Sequence, residues 1–105
     1  MAAKFPGVGH RYIVDFVQFR VELNFTSETS MTYYNLDASG AHVGQETVDI
    51  HVEPVRDDLF LVTWTEADRT TVVHLEDYRL LRIVTNITDP KDGLMRFEGT
   101  MSEIG

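Results

Sequence analysis

Apolar and polar residues alternate one for one along most of this chain. Val17, Phe19, Val21, Leu23 and Phe25 fall on one side, and Gln18, Arg20, Glu22 and Asn24 on the other. A period of two marks a half-buried strand. The same alternation sets Val48, Ile50 and Val52 against Thr47, Asp49, His51 and Glu53. Near the end, Met95, Phe97, Gly99 and Met101 oppose Arg96, Glu98 and Thr100. Five further runs, 10–16, 30–36, 59–66, 69–77 and 80–88, are dense in the β-branched and aromatic residues that strands favour. Turn-formers sit at the breaks: Asp37 to Gly40, Pro54 to Asp58, Ala67-Asp68 and Asp89 to Gly93. No segment carries a helical stripe longer than two turns.

The pattern predicts an all-β chain of about eight short antiparallel strands with hairpin-length connections. An eight-stranded up-and-down barrel satisfies it, because closure removes the exposed edges. Such a barrel holds either packed side chains or one small ligand. At 105 residues a single domain over 1–105 is expected.

Composition narrows the function. The chain is 43% hydrophobic and contains no cysteine, so it can build a core but neither disulfides nor thiolate chemistry. Its formal charge of −8 excludes the basic footprint that nucleic acids require, and disfavours anionic membrane surfaces. No run approaches the roughly 20 apolar residues that span a bilayer, and the start has no signal-peptide core. A soluble cytoplasmic protein is the expectation, and the Asn24 and Asn86 sequons then read as chance.

The most informative stretch runs from Phe60 to Tyr78. Phe60, Val62, Trp64 and Glu66 share a strand face whose bulk points it inward. Glu66 then sits at or inside the cavity mouth, where desolvation makes it a candidate general acid or base. The bland alternative is a half-solvated turn residue. His74 depends on register: a loop of two or four residues leaves it outside, whereas a three-residue loop with a bulge sets it opposite Val62 and inside. Only the second register allows Glu66 and His74 to titrate as a coupled pair. Val62, Trp64, Tyr33 and Phe97 are the expected contacts of a small apolar or aromatic ligand.

His51-x-Glu53 and His74-x-Glu76 fall short of the three or four convergent ligands that a metal site needs, so no metal is expected. No nucleophile elbow, phosphate loop or dinucleotide fingerprint is present, and no cofactor is expected.

Trp64 to Asp68, Thr71 to Tyr78, Thr85 to Thr88 and Gly99-Thr100 together resemble the MoaF-like family, named for molybdenum cofactor biosynthesis protein F. The resemblance runs over roughly 5–103, is tightest over 46–88, and implies a small lipocalin-like (calycin) barrel. A more distant similarity is to bacterial phenolic acid decarboxylases, which share that barrel and a Trp-Thr-Glu turn. Their turn glutamate is catalytic, which implies that role for Glu66, with His74 on the interior face. Their first strand carries two tyrosines where this one offers Tyr12 alone. Their substrate-binding arginine has Gln45 or Glu46 in its place, so decarboxylation of phenolic acids is not expected.

Three functions remain: binding of a small molecule without turnover, a small lyase or isomerase using Glu66 with His74 or Tyr12, and a filled barrel acting as an interaction unit. Binding is favoured because the anchoring arginine is missing. Leu59, Leu61, Val73, Leu75, Leu80 and Leu81 cannot all point inward, which predicts a twofold homodimer.

Overall fold

The computed structural model describes residues 4–105. Among these residues the chain forms nine strands and no helix: β1 (Arg11–Asp15), β2 (Arg20–Phe25), β3 (Ser30–Leu36), β4 (His42–Asp49), β5 (His51–Arg56), β6 (Leu59–Thr65), β7 (Thr71–Asp77), β8 (Arg82–Asp89) and β9 (Gly93–Glu103). They make one antiparallel sheet in the order β4-β3-β2-β1-β9-β8-β7-β6-β5. Sequential strands are neighbours almost throughout, as short hairpin connections require.

The strand expected across 47–53 is divided at Ile50, which gives nine strands where eight were counted. β4 and β5 form the two ends of the sheet, yet only Ile50 separates them in sequence. Its N–H donates to the Thr29 carbonyl at 2.9 Å while its side chain is buried. A chain that passes directly from one sheet edge to the other forces the sheet to curl, and β4 comes against β6.

The expected strands 10–16 and 17–25 also need correction. Phe16 to Phe19 form the β1–β2 turn, and Val17 is 90% exposed with φ of 75°. The Asp15 Oδ1 accepts the Val17 N–H at 2.8 Å, and the Phe16 N–H donates to the Phe19 carbonyl. Local hydrogen bonds outweigh the alternation here. A β-branched residue in the left-handed region is strained.

Alternate residues line the concave side. Val14, Val21, Leu23, Met31, Val48, Phe60, Val62, Ile83 and Met101 are buried there. One half is filled by edge-to-face aromatic rings. Phe5 packs against Phe25, Phe60 and Tyr78 at centroid distances of 5.0, 5.2 and 5.6 Å, and Tyr12 meets Tyr78 at 5.5 Å. On the convex side Leu75 is exposed and Leu59, Leu61 and Val73 are half-buried, while Leu80 and Leu81 are exposed in the β7–β8 turn.

Gly99 lets β9 approach the end of β1. A Cβ there would collide with the Asp15 carbonyl and press on the Phe16 ring. Gly99→Ala is therefore expected to cost about 1–3 kcal/mol, the usual range for overpacking. Gly44→Ala, at an exposed site with only ordinary contacts, should stay within about 0.5 kcal/mol of the parent. Urea denaturation of both variants checks the contrast.

Candidate functional site

The β6–β7 hairpin positions the chemistry. Glu66 N–H donates to the Thr70 carbonyl at 2.7 Å, and Arg69 N–H to the Glu66 carbonyl at 2.9 Å. Arg69 takes a φ of 74°, so Ala67, Asp68 and Arg69 form a three-residue loop closed by a left-handed residue. Asp68 Oδ1 accepts the Thr70 N–H, and that bond holds the Asp68 carboxyl below its ordinary range. An odd-numbered loop sets Val62 opposite His74. His74 is consequently inside, at 4% exposure.

The same register carries Val72 and Glu76 inward. Glu76 is fully buried between two partners: His74 Nδ1 lies 2.9 Å from Oε2, and the Tyr78 hydroxyl donates to Oε1 at 2.7 Å. Burial, reinforced by the Glu76 charge, pushes the Tyr78 phenol far up, so it stays protonated and donates. The neighbouring strand β6 brings Trp64 to the same wall, where its Nε1–H donates to Glu66 Oε2 at 3.2 Å and its indole meets the His74 ring edge-on at 4.7 Å. Tyr33 lies near-parallel to Trp64 at 6.4 Å. Its hydroxyl donates to Glu46 Oε1 at 3.0 Å, while Glu46 Oε2 accepts the Ala67 N–H at 2.8 Å. Glu46 thus ties β4 to the hairpin turn across the gap in the sheet.

Glu66 is half-buried. Burial raises its carboxyl above the ordinary 4.5; the Trp64 donor opposes that rise, and the Glu46 and Asp68 charges add to it. Burial likewise raises the Tyr33 phenol, with the neighbouring Glu66 and Glu46 carboxylates adding to the effect.

Between this wall and Tyr33 of β3 lies a cavity of about 80 Å3. Phe16, Phe19, Val21, Leu23, Val72 and Ile87 make it apolar, while Tyr33, Asn35, Trp64, Glu66 and His74 bring polar atoms to it. A larger open groove of about 340 Å3 runs along the Ile50 bend, but no buried titratable groups converge there.

Four residues singled out from sequence, Glu66, His74, Trp64 and Tyr33, meet at this one cavity. Val62 is buried across from His74, and Phe97 packs behind Phe19 at 5.0 Å. Tyr12 does not reach the cavity; it belongs to the aromatic cluster that fills the other half. Glu66 and His74 share the space without a hydrogen bond between them. The indole of Trp64 touches both, and the carboxylate on the imidazole belongs to Glu76. That partnership, with Tyr78 behind it, was missed. Its signal is the i, i+2, i+4 spacing of His74, Glu76 and Tyr78, which means contact only once the register is known. Among the described residues, no three His, Asp or Glu side chains converge to hold a metal.

The sequence profile described as MoaF-like matches residues 8–102. The chain belongs to the MoaF-like family. A comparison with curated protein sequences finds no match. Among solved structures, a Burkholderia vietnamiensis protein named as a "putative beta-lactamase" is similar in fold, with a TM-score of 0.86 and 24% identity. The alignment covers 96% of this MoaF-like chain and 98% of that one. At that identity the likeness concerns the fold alone.

The raised carboxyl of Glu66 has a measurable consequence. A carboxyl that binds its proton more tightly when folded adds stability below about pH 4.5, and that contribution is lost as pH rises through the elevated value. Relative to Glu66→Gln, the parent should therefore lose stability as pH rises from 4.5 to 8. Parallel urea titrations read the difference. A gap that stays constant with pH would place the carboxyl in open solvent.

Proposed function

We propose that this MoaF-like protein binds a small, flat, mostly apolar molecule in the Trp64 end of the curled sheet. One observation carries the reading: an otherwise apolar cavity on the concave face into which only a few polar groups are directed. The aromatic half of the interior is packed, which leaves this space as the site. Its volume suits a ligand of a few heavy atoms, and partial exposure of Phe19 and Tyr33 leaves room for somewhat larger rings if those side chains turn. The beta-lactamase name of the structural neighbour is not carried over, because the cavity is lined by neither serine nor cysteine.

A second reading is proton transfer on such a molecule, as in a small lyase or isomerase. The raised carboxyl of Glu66, facing the same space as a carboxylate-supported histidine, favours it. Tyr12 has no part in either reading, since its ring is committed to the aromatic cluster.

Trp64 supplies the test. At 8% exposure its emission should be blue-shifted, and small aromatic compounds should change it. Val72→Phe puts a ring into the cavity and should abolish that response while leaving the fold intact. An exposed-type emission that no compound alters would remove the binding reading. Continued binding by the filled variant would move the ligand elsewhere.

The convex leucines support a separate proposal, a twofold dimer. Leu61, Leu75 and Val84 are cross-strand neighbours on the outer face of β6, β7 and β8, with Leu80 and Leu81 beyond them. Sedimentation at high micromolar concentration should find twice the 12.0 kDa chain mass. A Leu75→Glu and Leu61→Glu double variant should sediment as a monomer.

A further inference from the structure

We infer that Glu76 is a positioning residue that holds the His74 ring with Nε2 facing the cavity as a hydrogen-bond acceptor, so that the site selects small ring compounds bearing an N–H or O–H donor. The inference rests on the binding reading for where the ligand sits, and goes beyond it by assigning the polar atom that chooses the ligand.

The argument begins with Glu76, the most completely buried acidic side chain among the described residues. An isolated charge at that depth is prohibitively costly, so its two oxygens must be satisfied. Tyr78 supplies one donor at 2.7 Å, and its raised phenol guarantees that the proton stays on the tyrosine. The atom 2.9 Å from the other oxygen, His74 Nδ1, must then carry a proton. When the imidazole is neutral, that proton is its only one. Nε2 is left as a bare lone pair, since the ring's hydrogen bond is made through Nδ1. Carboxylates fix histidine tautomers in this way at metal and catalytic centres alike.

The surroundings keep the ring from turning. Trp64 stands edge-on to it at 4.7 Å, and Phe16 lies at 6.4 Å on another side. A ring rotation would break the Glu76 bond and leave a buried carboxylate oxygen without a donor. Glu66, already engaged by Trp64 Nε1, does not compete for Nε2. The site therefore offers an apolar slot with one fixed acceptor at its wall, which favours a donor on the ligand and penalises an acceptor there.

Nitrogen-15 NMR of the full chain, in the pH range where His74 is neutral, reads the tautomer without any ligand. The expected spectrum has a protonated Nδ1 and a bare Nε2. Glu76→Gln should reverse it: the Tyr78 hydroxyl holds the amide oxygen, the amide N–H2 faces Nδ1, and the proton moves to Nε2. Pyrrole and furan then test selection, because these five-membered rings differ mainly in presenting an N–H or an oxygen acceptor. The parent should bind pyrrole roughly five- to tenfold more tightly than furan, the value of one modest hydrogen bond. The Glu76→Gln variant should lose or invert that preference. A neutral parent histidine with its proton on Nε2, or a tautomer unchanged in the variant, overturns the positioning role. Equal affinity for the two rings overturns the selection. A correct tautomer with no cavity resonance moved by either ring would instead defeat the binding reading and leave the positioning role standing. If Glu76→Gln does not fold, the parent tautomer and the parent's pyrrole-to-furan ratio still decide both halves.

Discussion

Everything at the concave face depends on the register of one hairpin. The loop of Ala67, Asp68 and Arg69, closed by Arg69 in the left-handed region, sets Val62 against His74. Side chains alternate with a period of two, so a slip of one residue would exchange every inward group of β7 for an outward one. Val73 and Leu75 would enter the core, and His74 and Glu76 would face water. The core would gain apolar area and the protein would lose its cavity chemistry. Hydrogen bonds within the loop, including Asp68 Oδ1 to the Thr70 N–H, hold the register that hydrophobic burial alone would not choose.

That choice places an acidic and a basic side chain in the interior of a small chain. The cost is offset because both carboxyl groups find partners close by: Glu76 between His74 and Tyr78, and Glu66 against Trp64. The Thr85 hydroxyl, fully buried directly across from His74 on β8, has no such partner. An orphan hydroxyl in a core this small marks a region not optimised for stability alone. The strained Val17 turn, which carries the cavity-lining Phe16 and Phe19, points the same way.

The interior is divided between two tasks. Around Phe5, Phe25, Phe60, Tyr12 and Tyr78, edge-to-face rings close the space and supply the packing that a chain of this length needs. Tyr78 belongs to both halves. Its ring completes the aromatic cluster, and its hydroxyl supports Glu76, so the packed half holds the polar half in place. On the other edge, Glu46 reaches from β4 to Tyr33 and to the hairpin turn, which fastens the open side of the curl beside the cavity.

By itself the sequence determined the all-β class, most strand positions and the inward face of β6, because period-two alternation depends only on one side of a sheet being buried. It also singled out Glu66, Trp64 and Tyr33, since bulky residues on one face imply an interior. Where competing local bonds decide, the pattern misleads: Val17 continues an apolar alternation yet sits in a turn, and the run through Ile50 is two strands. Only the tertiary structure decided that His74 lies inside, because both registers satisfy the alternation and the difference lies in the backbone of three loop residues. It alone showed that the partner of His74 is Glu76 and not Glu66, and that Tyr12 packs away from the site. Those outcomes depend on side-chain directions across several strands at once, and the i, i+2, i+4 spacing of His74, Glu76 and Tyr78 becomes a buried contact only on the inward face.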